Sequence, residues 1–208
     1  MSASAPVRRG REPVLVDAVV ERSRFADLQI VVTSMALTAI AAQIELPCWP
    51  VPVNGLPFAV LLVALATGWA RSAIAMALYL ALGLAGLPVF AGAASGIDSF
   101  GSPSTGLLVA SVPVAAALGA VSARLPTGRT LPAVLASVAA AVALLVLGGA
   151  WLVMATALDP GAGAVPPILV GSVLPLLPGL LAGALLAAIV VTGCRRLLDR
   201  DRDAERPY

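Results

Sequence analysis

The chain contains no histidine, and every one of its 13 positively charged residues is an arginine, so it has no lysine either. Without an imidazole there is no His-based proton relay, no His-dependent metal site and no serine or cysteine triad of the usual kind. That absence counts against intramembrane metalloproteases and rhomboid-type serine proteases. Without lysine no G-x-x-x-x-G-K-[ST] phosphate loop can be written, so ATP hydrolysis at a Walker-type site is excluded. The two cysteines, Cys48 and Cys194, fall at opposite ends of the membrane in the arrangement below. They are too far apart to pair, and each reads as a small apolar residue.

Charge is scarce as well. Charged residues make up 12 % of the chain and hydrophobic ones 60 %, with a mean hydropathy of +0.99, where a soluble domain carries about 25 % charged residues. A chain of 208 residues cannot bury that much apolar surface in water. Runs of about 20 apolar residues are what a bilayer's hydrocarbon thickness requires. The sequence predicts an integral membrane protein.

Six apolar stretches can be marked off, at residues 28–46, 56–70, 72–90, 106–125, 131–158 and 165–194. The second is short for a full span and is expected to pair closely with the third. In the sixth, Pro166, Pro167, Pro175 and Pro178 are expected to break or kink the helix, because proline removes a donor and clashes with the preceding turn.

The arginines lie before the first span, at Arg71, at Arg124 and Arg129, and after the last span. The other side carries Glu45, Asp98 and Asp159 and no cation. Under the positive-inside rule both termini are cytoplasmic and the span count is even. The expected architecture is thus an all-α integral membrane protein of six transmembrane helices, multi-pass in the cell membrane. Residues 1–27 form a cytoplasmic N-terminal segment, 28–194 the transmembrane domain and 195–208 a basic cytoplasmic tail. The first 27 residues are polar and arginine-rich, with no short apolar region before a cleavage site, and read as cytoplasmic rather than as a removable signal.

The spans hold almost no embedded charge: Glu45 marks the outer end of the first, and the rest sit in loops. Ion-coupled carriers need ionisable groups within the membrane. If this protein moves a solute, another subunit is expected to supply the energy.

The stretch LYLALGLAGLPVFAG, residues 78–92, reads as the end of the third span at the outer face. Gly83 and Gly86 permit close helix contact, Pro88 is expected to end the helix, and Phe90 to sit at the interface where aromatic rings concentrate. The glycine- and serine-rich segment that follows, residues 91–105, is a candidate lid over a site.

These residues resemble a known family. The Tyr79-x-x-x-Gly83-x-x-Gly86-Leu87-Pro88-Val89-Phe90 core resembles the third-helix signature of the BioY family, the biotin-capturing S subunits of energy-coupling-factor (ECF) transporters. Further pieces fall in the family's order. Pro50-Val51-Pro52-Val53 resembles its Pro-Val-Pro loop, and Ser102-Pro103-Ser104-Thr105-Gly106 its Gly-Pro-Thr-Gly-Gly start of helix four. Leu147-Gly148-Gly149-Ala150-Trp151-Leu152 resembles the Gly-x-x-Trp-Leu of helix five, and Leu174-Pro175-Leu176-Leu177-Pro178-Gly179 the Pro-Phe-x-Pro-Gly of helix six.

The resemblance implies an S-component-like fold with an outward-facing pocket for biotin or a similar small vitamin. It also implies a transmembrane coupling subunit and cytoplasmic ATPases as partners, in the lipid bilayer. No enzymatic activity, nucleic-acid partner, metal or cofactor is expected. The chain departs from the family at ligand-side positions: Leu180 and Gly183 stand where the family has Asp and Lys, Leu56 where it has Gln, and Leu107 where it has Tyr. The competing class is a diverged relative that binds another small solute or serves a non-transport scaffold role.

Candidate ligand-binding residues are Asn54, Tyr79, Phe90, Asp98, Ser104, Thr105 and Trp151. Asn54, between Pro52 and Pro57, offers an amide that both donates and accepts, or forms a turn. Trp151 suits stacking on a flat ligand or an interfacial belt. Tyr79 needs a partner for its hydroxyl when buried, which a structural hydrogen bond or a ligand could supply. Asp98 is either solvated or ligating. Trp49 and Phe58 read as interface anchors. Ser34, Thr38 and Ala42 form a small-x-x-x-small stripe, and the resemblance implies that such a stripe docks the coupling subunit through close backbone approach.

Overall fold

The computed structural model describes residues 16, 23–46, 53–97, 99, 105–125, 130–158 and 176–204. Six α-helices follow along the chain: α1 (Arg24–Gln43), α2 (Leu56–Thr67), α3 (Trp69–Leu84), α4 (Thr105–Ser122), α5 (Thr130–Leu158) and α6 (Leu176–Ala204). A two-residue antiparallel ladder, β1 (Glu45–Leu46) and β2 (Val53–Asn54), links α1 to α2 with Glu45 opposite Asn54. α1, α4, residues Thr130–Trp151 of α5 and Gly179–Leu198 of α6 are long and apolar enough to cross a bilayer. The protein is an all-α, multi-pass membrane protein of six helices.

α2 is the axis of the bundle. Its sequence, LPFAVLLVALAT, has no polar face, and 9 of its 12 residues are buried, as expected for a helix apolar all round. It packs on all five other helices, most extensively on α6 and α4 rather than on the α3 that follows it. At about 1.5 Å per residue it is only about 18 Å long, well short of the hydrocarbon thickness of about 30 Å, so it sits within the bundle with its neighbours making up the depth. The α2–α3 join is the single residue Gly68, at φ 82° and ψ 177°. Gly119 of α4 fits against that join: a Cβ there would lie 2.6 Å from Gly68 C and Trp69 N.

At the inner end, Ser23 caps α1 by accepting the Ala26 N–H at 3.0 Å. Arg71 at the start of α3 pairs with Asp27 in the first turn of α1, Nε to Oδ1 at 2.8 Å. Arg195, 9 % exposed, turns back from α6 into the bundle. Its Nη2 donates to the Leu65 carbonyl at 3.0 Å and to Ser122 Oγ at 3.1 Å, and Ser122 Oγ donates to the same carbonyl at 2.8 Å. One cation thereby ties α2, α4 and α6 and serves a carbonyl in the last turn of α2, where helix acceptors lack backbone partners and the dipole favours positive charge. The helix continues through the arginine-rich stretch to Ala204.

Two expectations about helix ends are corrected. The third helix stops at Leu84, not at Pro88. Gly86, at φ +99°, turns the chain left-handed, with Gly86 N–H bonding Gly83 O at 3.2 Å and Leu87 N–H bonding Leu82 O at 3.1 Å. This is the Schellman arrangement, for which glycine is the favoured residue. The sixth helix begins at Leu176, so Pro178 falls in its first turn, where a missing N–H costs nothing. Pro166, Pro167 and Pro175 lie outside the described residues.

Candidate functional site

Toward the end of the bundle opposite Arg71, the first two turns of α2 and α4 meet the middle of α5 at a tight apolar recess. Leu56, Pro57 and Val60 of α2, Leu107 and Ser111 of α4, and Leu144 of α5 line it. Its walls are held together by glycine. Gly106, in the first turn of α4, lies directly on the Gly148 carbonyl of α5, and a Cβ there would come within 2.8 Å of Trp151 Cβ. The Ser111 hydroxyl, the one polar side chain in the lining among the described residues, donates to Leu108 O at 2.6 Å. Among the described residues no group of three or more His, Cys, Asp or Glu could hold a metal. Among the described residues the lining carries no acid or base, and in this conformation the space between its side chains admits no water molecule.

At the same end of the bundle, the segment after α3 is fastened down. Phe90, 2 % exposed, lies directly over Gly83, with its ring edge-to-face on Tyr79 at 5.6 Å between centroids. The interfacial position expected for Phe90 is corrected: because α3 ends at Leu84 and Gly86 turns the chain back, the ring is carried into the core. Tyr79, fully buried, donates its hydroxyl to Val89 O at 3.2 Å. Thr105, also fully buried, donates Oγ1 to Ser99 O at 3.1 Å. Thus Tyr79, Phe90 and Thr105 all hold the α3–α4 connection.

Trp151 is half-buried near the outer end of α5, next to the recess through its contact with Gly106. Asn54 has its backbone in β2 opposite Glu45. Asp98 and Ser104 lie outside the described residues, as does Trp49. Phe58 is partly buried and packs on α6, where a Cβ on Gly183 would meet its Cβ at an ordinary 3.4 Å. It is an inter-helix contact rather than an interface anchor. Leu180, 3 % exposed, is likewise core.

The small-residue stripe of α1 faces inward. Ser34, Thr38 and Ala42 are 7 %, 0 % and 0 % exposed, and Thr38 Oγ1 bonds Ser34 O at 2.8 Å. They face the bundle, where small size lets α1 approach α2 and α3. The outward face of α1 carries Phe25, Leu28, Val32, Leu37 and Ile40.

Sequence reasoning missed two residues. Gln43, the last residue of α1, donates Nε2 to Phe90 O at 2.7 Å and to Val89 O at 3.2 Å, and its Oε1 accepts the Ala93 N–H at 3.1 Å. A lone amide closing an apolar run was the available signal. Arg195 was counted only with the tail; its position as the first arginine after the span was the signal there.

The BioY family model matches residues 16–200. The putative biotin transporter BioYB of Bacillus subtilis (strain 168) is 38 % identical over 101 residues, which is 46 % of this chain and 50 % of that protein. Biotin transporter BioY2 of Lactococcus lactis subsp. cremoris (strain MG1363) is 30 % identical over 139 residues, 67 % of this chain and 76 % of that protein. The alignment with the Bacillus subtilis relative therefore spans about half of its length. Among solved structures, the S-component for biotin from an ECF-type ABC transporter shares the fold with a TM-score of 0.61 at 20 % identity, covering 86 % of this chain and 95 % of that one. With a family match over nearly the whole membrane domain and a matching six-helix fold, the chain belongs to the BioY family.

Proposed function

We propose that this chain is the substrate-binding membrane subunit of an ECF-type vitamin transporter, with biotin as its solute. The observation that carries the reading is the family match over residues 16–200 on a bundle whose apolar recess lies at the outer end. The relatives described as biotin transporters support the choice of solute. The chain does no chemistry of its own: with no lysine for a phosphate loop, it draws energy from a coupling membrane subunit and cytoplasmic ATPases.

Two measurements test this. Mass spectrometry of small molecules co-purifying with the protein, followed by calorimetric titration with biotin, is expected to find one vitamin per chain. Cells lacking other biotin uptake are expected to accumulate it only when the chain is co-expressed with a coupling subunit and ATPases. Proteoliposomes of the chain alone that concentrate biotin on an ion gradient would overturn the reading. One observation favours a second reading, a scaffold with a collapsed pocket: the described part of the recess is too tight to admit a water molecule. A purified protein with no bound vitamin and no heat of binding would decide for it.

A further inference from the structure

We propose that Gln43 is the positioning residue of the outer face: its carboxamide seats residues 89–93 and so sets how long a bound solute stays. The residence-time half rests on the binding role proposed above. Both amide functions are engaged on this one segment, with Nε2 on the Val89 and Phe90 carbonyls and Oε1 on the Ala93 N–H. The segment cannot hold that shape cheaply without help. Gly92 and Ala93 are both left-handed, at φ 66° and 58°, and Ala93 is the one non-glycine residue with positive φ among the described residues. Such a residue persists where its surroundings over-determine it, and the bond to Gln43 supplies part of that constraint.

Further bonds hold the chain that follows, up to the start of α4. Phe90 N–H bonds Ala94 O at 3.2 Å and Gly96 N–H bonds Gly83 O at 2.8 Å, so the strand leaving Gln43 is pinned again on α3. Thr105 then fastens Ser99 to the first residue of α4, two residues before Leu107 in the recess wall. If Gln43 lets go, Phe90 loses one of the holds on its seat and the start of α4 loses its registration. A glutamine serves here because the site needs a donor and an acceptor on one planar head. Among the described residues, the titratable groups at this end of the adjoining elements are Tyr79 of α3, which shares the Val89 carbonyl, and Glu45 of β1; Arg71 of α3 is paired with Asp27 at the opposite end of the bundle.

That requirement gives a test which a merely space-filling role would not pass. In Gln43→Glu the ionised carboxylate still accepts from Ala93 but meets two carbonyl oxygens with no proton to offer. Protonated, it recovers a donor, and the carbonyls favour that form. Hydrogen exchange of the full chain in detergent, corrected for intrinsic rates, is expected to show segment 89–97 exchanging at least about tenfold faster than wild type at pH 7.5 and recovering most of its protection near pH 5. Gln43→Met, without donor, acceptor or charge, is expected to exchange fast at both pH values. Unchanged exchange in α4 and α6 peptides reports that each variant is folded.

Biotin dissociation is expected to quicken about tenfold in Gln43→Glu at pH 7.5 and to slow again near pH 5. Exchange that matches wild type, or that rises equally at both pH values, overturns the positioning role. Altered exchange with an unchanged dissociation rate overturns the link to residence. Wild-type protein that binds no biotin defeats the binding reading instead, while the exchange result still judges Gln43.

Discussion

Replacing Arg195 by methionine keeps an unbranched side chain of similar reach and removes the cation that ties α2, α4 and α6. Two bonds of Nη2 are lost, to Leu65 O at 3.0 Å and Ser122 Oγ at 3.1 Å. Hydrogen bonds from a charged donor contribute about 1.5–3 kcal/mol each, so the gross loss is about 3–6 kcal/mol. Against it stands relief of the several kcal/mol that burying a guanidinium costs. Ser122 Oγ still serves the Leu65 carbonyl at 2.8 Å, so no buried acceptor is stranded there. The net is a destabilisation of about 2 kcal/mol, which for a chain of this size lowers the unfolding midpoint by about 4–8 °C. Thermal unfolding in detergent, followed by tryptophan fluorescence, reads it. Ser122→Ala alone is expected to cost about 1 kcal/mol, and the double variant less than the sum, because the residues share one network. An unshifted midpoint for Arg195→Met, or strict additivity in the double variant, would refute the view that this arginine is a buried tie.

Three further outcomes are expected. Gly119→Leu should prevent normal folding or cost at least about 1–3 kcal/mol through overpacking, since its Cβ would meet backbone at 2.6 Å, whereas Gly183→Ala should be tolerated at 3.4 Å from Phe58; expression with size-exclusion profiles separates them. Tyr79→Phe should cost no more than about 1 kcal/mol and leave biotin affinity unchanged, because Gln43 still serves the Val89 carbonyl; a clear loss in a binding titration would make Tyr79 a ligand contact. Biotin methyl ester should bind within about threefold of biotin, because the described recess lining carries no charge and the positive-inside rule assigns every arginine to the inner side; a drop of tenfold or more, about 1.4 kcal/mol, would reveal a contact to the carboxylate.

How much was legible in the sequence follows from what each signal measures. Hydropathy and arginine placement are local quantities, and they gave six helices and the inner ends. The structure places Arg71, Arg124 and Arg195 at one end of the bundle and the recess at the other. Helix ends were less legible: Pro88 looked like the stop, but the left-handed Gly86 acts first, and a glycine's φ is settled only when the chain folds back. Which face of each helix looks inward was hidden. In water an apolar stripe marks the core, but lipid is as apolar as the core, so periodicity loses that information. Hence the spacing of Ser34, Thr38 and Ala42 did not say that they face α2 and α3, and the lack of a polar face on α2 did not say which helices it packs on most.

The sequence by itself determined the membrane class, the helix count and, through its motifs, the family, because each depends on residue types in order along the chain. Only the tertiary structure decided that Gln43 grips residues 46 to 50 positions away and that Arg195 reaches back 130 positions to Leu65. Those contacts depend on how far each helix is rotated about its own axis. In a chain this uniformly apolar, close packing of small residues and the need to satisfy a few buried polar groups fix that rotation.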